Sequence, residues 1–576
     1  MNNLPKKQKS LKGFLPYAPR EYLSKDSDLS KKDEVLFYLK KLLQAEVKSE
    51  KDLRKWVFFR FELESALDQA ETVLYIDMTC HTDDAVKSKS YSEFIKKIKP
   101  LAKQYKNNLD VKYLSLFKKY GAIKRLALYD KTVKSDVEIF VRENIPIETQ
   151  LNILSQEYQK TIGGMSVHYK GEEHTLPRMN KYLFEPDRER REDAWREIAK
   201  RRLADKEKLE DIFNRMVSLR AKIAKNTGFE NYAQYTWKAM HRFDYTPKDC
   251  KKYHQAVEEI ILPVCSSIYK KRRSNMGLEA LRPWDLQVDP LNRPPLCPFR
   301  DSKELISGCR KIFNKMDKGL EGYFKEMEKS GMLDLESRKG KAPGGYMSTL
   351  NEARRPFIFM NAVGLDDDLM TLLHESGHAF HSIACRNNPV LHYRHAPLEF
   401  SEVASMSMEL LASKFLSVFY DKKDMERSNY YMIEEIVFLL VWIAIVDCFQ
   451  HWIYENPTHD SNARREAWLA IKKRFAVSEV DWSGLDEEHA YLWHKQLHIF
   501  EVPFYYIEYG IAQIGAVQLW AKSRKNYSAV IKSYKRALAL GGERPLPELF
   551  RAAGASFDFF EKSLRRSRKA IVEYLG

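Results

Sequence analysis

Long runs of helix-forming residues without a breaker constrain this chain most. Lys31–Leu43, Glu192–Lys225, Tyr253–Arg273 and Asp424–Tyr454 are rich in Leu, Glu, Lys, Ala and Arg, with apolar residues recurring at three- and four-residue spacing. Together these runs contain one proline, Pro263, and no glycine. Laid out as strands they would scatter apolar side chains over both faces of a sheet, so a mainly α protein of many helices is expected. Two stretches depart from this pattern. Met276–Pro298 holds Pro283, Pro290, Pro294, Pro295 and Pro298 and reads as largely irregular. Lys339–Asn361 holds Gly340, Pro343, Gly344 and Gly345, then Pro356-Phe357-Ile358-Phe359-Met360, and reads as a short strand pair. A loose boundary near residue 190, before the helix expected to open at about Glu192, divides an N-terminal helical region (1–190) from a second region (191–576).

Composition narrows the function classes. With 44% hydrophobic and 12% aromatic residues, the 576-residue chain can bury a sizeable core, which excludes disordered, collagenous and low-complexity classes. The apolar run Ile436–Val446, bounded by Glu434, Glu435 and Asp447, has eleven residues. It is too short to cross about 30 Å of hydrocarbon and reads as a buried core helix. Lys6, Lys7, Lys9 and Lys12 are followed by no apolar stretch, and Pro5, Pro16 and Pro19 interrupt any amphipathic helix, so no export or transit segment is expected. Seven well-separated cysteines without a C-x-x-C pair argue against a disulfide framework or a thiolate zinc site and favour a cytoplasmic location. The 96 Lys and Arg outnumber 80 Asp and Glu, for a net charge of +16, but acids are interleaved throughout. Runs such as Lys96-Lys97-Ile98-Lys99 and Lys200-Arg201-Arg202 lack any nucleic-acid-binding context and read as solvated helix faces. Neither a nucleic-acid nor a membrane partner is expected.

The segment from Asp366 to His381 carries the chemistry. Asp366, Asp367 and Asp368 suit a helix start, where backbone amides and the macrodipole favour negative charge, and Asn387, Asn388 and Pro389 supply a stop. On that helix His374 and His378 stand four residues apart, so both imidazoles face one ion, with Glu375 placed to act as base on a metal-activated water. A third ligand is needed. The metzincin pattern asks for Gly and His where this chain has His381 and Ala384, and thermolysin spacing would put a ligand at Leu398, so both fail. A second helical stretch, Pro397–Leu411, offers Glu399, Glu402 and Glu409 as competing carboxylates.

Three runs resemble the zinc oligopeptidase family of oligoendopeptidase F and thimet oligopeptidase. They are P-F-I-F-M-N at 356–361, T-L-L-H-E-S-G-H-A-F-H at 371–381 and E-F-S-E-V-A-S-M-S-M-E-L-L at 399–411. The family motif Phe-x-Glu-x-x-Ser falls on Phe400, Glu402 and Ser405, which implies Glu402 as third ligand of one catalytic Zn2+. Glu409 matches a later family Glu that would orient a ligand histidine. Ala404 stands where thimet-type members have Pro, a departure that points to the bacterial oligoendopeptidase F branch. A further match at 498–509 implies that His498, Tyr506 and Tyr509 stabilise the tetrahedral intermediate, with Tyr505 an alternative donor.

The resemblance implies a large multi-helix peptidase fold with a deep substrate channel between two helical halves and a small β-sheet near the active site. It also implies a zinc-dependent endopeptidase acting on short unfolded peptides. Gly344, Gly345 and Tyr346 read as a strand edge that could capture an extended peptide by main-chain pairing. The competing readings are a related zinc carboxypeptidase or dipeptidase, and a non-catalytic helical nucleic-acid-binding protein.

Overall fold

The computed structural model describes residues 14–576 except 122, 339 and 343. Pro5, Lys6, Lys7, Lys9 and Lys12 of the basic N-terminus, and Lys339 and Pro343 of the glycine-rich stretch, therefore lie outside the described residues. Helix dominates the remainder, and the expected runs appear as Lys32–Gln44 and Lys422–Glu455 with boundaries moved by a residue or two. Two runs are instead divided. Glu192–Lys225 becomes Arg188–Leu203 and Lys206–Asn226, the first opened by Asp187, whose carboxylate accepts the amides of Glu189 and Arg190. Nothing in the composition at Ala204 and Asp205 marks that break, which is made by packing. Tyr253–Arg273 divides into Pro247–Ile260 and Leu262–Met276 because Pro263 lacks an amide proton and sits in the first turn of the second helix, where none is needed.

Among the described residues, five short strands complete the fold. β1 (Ser166–Tyr169) and β2 (Glu172–Thr175) form a hairpin that the sequence reading did not anticipate. Lys170 and Gly171 turn it with φ of 52° and 84°, the left-handed pair that suits a two-residue hairpin loop. β3 (Leu333–Glu336), β4 (Tyr346–Leu350) and β5 (Arg355–Ala362) form a sheet in the order β3-β5-β4, with β4 antiparallel and β3 parallel to β5. The expected strand pair is thus present, with a third strand added. Met276–Pro298 is irregular after its helix end apart from one short turn at Pro283–Asp285.

Packing gathers the chain into two compact units. The first comprises Met1–Arg142, Cys297–Met425 and Gly515–Phe557, and the second Glu143–Leu296, Glu426–Ile514 and Asp558–Gly576. This is a different division from a single boundary near residue 190, because helices distant in sequence close each unit.

In the first unit, Trp56, Phe61, Leu109, Tyr113 and Tyr129 form an apolar cluster with Val390, Leu391 and Tyr393. The Asp366–Cys385 helix packs against the Leu398–Ala412 helix, β4, β5 and the Tyr527–Leu538 helix, so it is held on several sides. In the second unit the run Ile436–Val446 is largely buried, as a core helix should be. Among the described residues no helix is long and apolar enough to cross a membrane. Asp285, fully buried, accepts hydrogen bonds from Arg188 and Arg191 and ties the Arg188–Leu203 helix to the proline-rich stretch.

Candidate active site

The Asp366–Cys385 helix begins where Asp368 accepts three backbone amides, those of Val363, Gly364 and Leu365, at 2.8 to 2.9 Å. That cap sets the phase of every side chain that follows. His374 Nε2 and His378 Nε2 lie 3.4 and 3.5 Å from one and the same oxygen, Glu402 Oε2. One ligand atom from each of the three residues lies within 4.8 Å of the others. Donors about 2.0–2.1 Å from a tetrahedral ion stand roughly 3.4 Å apart, so the two imidazoles and the carboxylate fit a zinc site of three protein ligands with one position left open.

The surrounding bonds orient these donors. His374 Nδ1 is 2.6 Å from Glu409 Oε1, so Nδ1 donates to that carboxylate and Nε2 is turned toward Glu402. Ser405 donates to Glu402 Oε2 at 3.0 Å. Burial draws the His374 ring downward, but Glu402 and Glu409 outweigh it and hold the ring well above its ordinary pKa. Burial and the neighbouring His374 push His378 down to about 4 against the Glu402 charge. His381, one turn on, is buried with Nε2 making no hydrogen bond and is not among the converging atoms.

Glycine at 377 permits the arrangement. A Cβ built there would stand 2.5 Å from Ser405 Cα and 2.6 Å from the Ala404 carbonyl oxygen. The two helices therefore touch backbone to backbone, one turn from Glu402, and only glycine allows it. Tyr534 secures the same point by donating to the Ala404 carbonyl at 2.7 Å.

Glu375 is 8% exposed. Burial raises its carboxyl to about 7, with the Glu402 and Glu409 charges pushing the same way and His374 and the Met347 amide opposing. Through that amide it touches β4, an edge strand of the sheet. Of the expected peptide-binding residues, Gly344 and Gly345 are exposed and precede β4 rather than lie within it. Gly344 has φ of 92°, so it serves a turn that only glycine takes readily. Tyr346 opens the strand, stacks on Phe359 with ring centres 4.7 Å apart, and shares a hydrogen bond with the Thr79 hydroxyl.

The second unit holds its own polar aromatic group. Tyr509 Oη is 3.4 Å from His498 Nε2, and the rings of Tyr505, Tyr506 and Tyr509 lie 4.9 to 5.7 Å from the His498 ring. Gln496 organises the group. Its Oε1 accepts from Trp442 Nε1 at 3.0 Å and from the Tyr506 hydroxyl at 3.2 Å, which leaves its Nε2 to donate to His498 Nδ1 at 2.9 Å. Because the indole nitrogen can only donate, the amide has one orientation, and His498 carries its proton on Nε2. The Tyr506 hydroxyl is thus engaged with Gln496, and burial lifts its pKa to about 12. The turn before Tyr505 runs through Phe504, a buried non-glycine residue with φ of 66°. Its carbonyl is held by Arg242 at 2.6 Å and its amide by Gln450 at 2.7 Å.

A profile of peptidase family M3 matches residues 182–568 of the chain. The chain belongs to peptidase family M3. Two bacterial proteins named oligoendopeptidase F homologue are similar to this M3 member. That of Borreliella burgdorferi is 23% identical over 315 residues, covering 52% of this chain and 52% of the relative. That of Lactococcus lactis subsp. lactis is 23% identical over 334 residues, covering 54% and 53%. The chain thus spans about half the length of the curated relatives it matches. Among solved structures, PZ peptidase A with an inhibitor superposes with a TM-score of 0.87 at 27% identity, covering 94% of this chain and 97% of that one. The mainly helical peptidase fold expected from the sequence is therefore the fold this M3 chain has.

Sequence reasoning missed Gly377, Tyr534 and Gln496. A glycine inside an otherwise strong helix pattern was the available signal for the first. No local pattern marks Tyr534 or Gln496, whose roles depend on what packs beside them.

Proposed function

We propose that this chain is a zinc-dependent endopeptidase that hydrolyses short unfolded oligopeptides. The observation that carries the proposal is the convergence of His374, His378 and Glu402 on one point, backed by Glu409 on His374 and with the raised carboxyl of Glu375 alongside. The substrate class rests on the relatives named oligoendopeptidase F, and a cytoplasmic location on the scattered cysteines.

When bound, the ion supplies Lewis-acid chemistry, making a water acidic near neutral pH and drawing electron density from the peptide carbonyl. Glu375 takes the proton of the attacking water on its carboxylate and hands it to the departing amine. Glu409 keeps His374 in the tautomer that faces inward, and Ser405 keeps the Glu402 carboxylate turned toward the histidines. In line with the family resemblance, His498 through Nε2–H and Tyr509 through its hydroxyl are the donors to the developing oxyanion. Tyr506 supports them through Gln496, and Tyr505 remains the alternative donor. Tyr346 and β4 offer main-chain groups to an extended peptide, with Gly344 and Gly345 keeping the approach free of side chains.

The test is a quenched fluorescent peptide of about ten residues, blocked at both ends, assayed with chelator and with zinc restored. Internal cleavage that chelation abolishes and zinc restores is expected. Inertness of the blocked peptide with trimming of a free-ended one would replace the endopeptidase by a carboxypeptidase or dipeptidase. Inertness of both with zinc bound would overturn the peptidase reading.

A further inference from the structure

Away from the M3 motif, the second unit holds another cluster of ligand-type side chains. Cys250 and His254 stand one turn apart on the Pro247–Ile260 helix, and Asp447 and His451 one turn apart on the Lys422–Glu455 helix. All four are buried, Cys250 and Asp447 completely. The Cys250 sulfur, one Asp447 oxygen and one His451 nitrogen lie within 4.8 Å of one another. His254 Nε2 bonds Asp447 Oδ2 at 2.7 Å, and His451 Nε2 stands 3.4 Å from the same oxygen. Asp447 Oδ1 and both ring nitrogens of His451 make no hydrogen bond although they are shut away from solvent, the nitrogens having only the longer approaches of Asp447 Oδ2 at 3.4 Å and Glu455 Oε1 at 3.8 Å. Such buried polar atoms are costly unless something meets them.

We propose that Cys250, Asp447 and His451 are ligands of a second divalent transition-metal ion of the zinc class, with His254 holding the Asp447 carboxylate in place. The donor set is one that zinc accepts, combining thiolate, imidazole and carboxylate. A dication held by one thiolate and one carboxylate has no net charge, which a dry interior requires. Tetrahedral donors at about 2.0–2.3 Å from zinc stand roughly 3.3–3.6 Å apart, so the three atoms would draw together from a spacing of up to 4.8 Å. Binding displaces the thiol proton and any proton on His451. The ion would pin the two helices to each other. Cysteine spacing could not reveal this site, because each helix contributes an i, i+4 pair and 193 residues separate His254 from Asp447.

Cobalt(II) is the probe. A cysteine thiolate bound to cobalt gives a near-ultraviolet charge-transfer absorption that a site of two histidines and a glutamate cannot give. The full chain, produced in zinc-depleted, cobalt-supplemented medium, is expected to carry about two cobalt ions by mass spectrometry and to show that band. Cys250→Ser should lose the band and one ion, whereas His374→Ala should lose the other ion and keep the band. His451→Gln provides a second variant should Cys250→Ser fail to fold, with the same losses expected. One cobalt ion per wild-type chain without the band would overturn the proposal, the His374 site serving as the loading control. So would a band that survives Cys250→Ser.

Discussion

Replacing Gly377 by alanine tests whether backbone contact between two helices sets the metal geometry. The added Cβ would stand 2.5 Å from Ser405 Cα and 2.6 Å from the Ala404 oxygen, and both are main-chain atoms that cannot swing aside. Ordinary carbon contacts need about 3.5–4.0 Å, so the helices must part by roughly 1 Å. Metal–ligand distances tolerate only about 0.2 Å, and Glu402 sits one turn from the contact. A loss of about 10–100-fold in zinc affinity is expected, with a matching fall in turnover at limiting zinc. Stability should change less, since overpacking costs about 1–3 kcal/mol while alanine improves helix propensity by about 1 kcal/mol. The assay is zinc competition against a chromogenic chelator, with thermal unfolding followed by circular dichroism. Gly322→Ala is the control: it lies in the Lys318–Ser330 helix, and its Cβ would meet nothing within 4 Å, so it should leave zinc binding intact. Zinc affinity within about twofold of wild type in a folded Gly377→Ala protein would refute the steric reasoning.

Glu375→Gln should keep the metal yet lose at least about a hundredfold in turnover, because an amide cannot accept the proton; near-normal cleavage by the zinc-loaded variant would remove Glu375 from the base role. Gln496→Glu should lower kcat more than it raises KM, since a carboxylate would accept from His498 Nδ1 and turn its Nε2 from donor to acceptor; the imidazole nitrogen-15 shifts read the tautomer directly, and an unchanged tautomer would refute the assignment. Tyr509→Phe should likewise lower kcat more than it raises KM, and an unchanged kcat would move its role elsewhere. Burial pushes the Asp285 carboxyl up, but Arg188, the Arg282 amide and Arg191 outweigh it and hold it below its ordinary range. Its stabilisation is therefore complete above about pH 4 and lost as pH falls through the lower folded value. Asp285→Asn should cost about 3 kcal/mol at neutral pH and flatten the acid side of the Tm profile; an unchanged neutral Tm would show the pairs to be idle.

Period and punctuation made the helical class legible, because amphipathic spacing is a local property that each segment carries with it. The H-E-x-x-H pair and its helix start at Asp366–Asp368 were equally local, since two residues four apart on one helix must share a face. Choosing among Glu399, Glu402 and Glu409 was a different matter. All three lie on or face the Leu398–Ala412 helix, and spacing alone left them in competition until the family resemblance singled out Glu402. The tertiary structure turns Glu402 onto both histidines and Glu409 onto the far nitrogen of His374, and it does so through the close approach at Gly377. The division of Glu192–Lys225 into two helices, the interleaved units, the tautomer of His498 and the buried Cys250–Asp447–His451 cluster share that character. Each depends on contacts between residues that are remote along the chain, and no local pattern of propensity or charge records which remote surfaces meet.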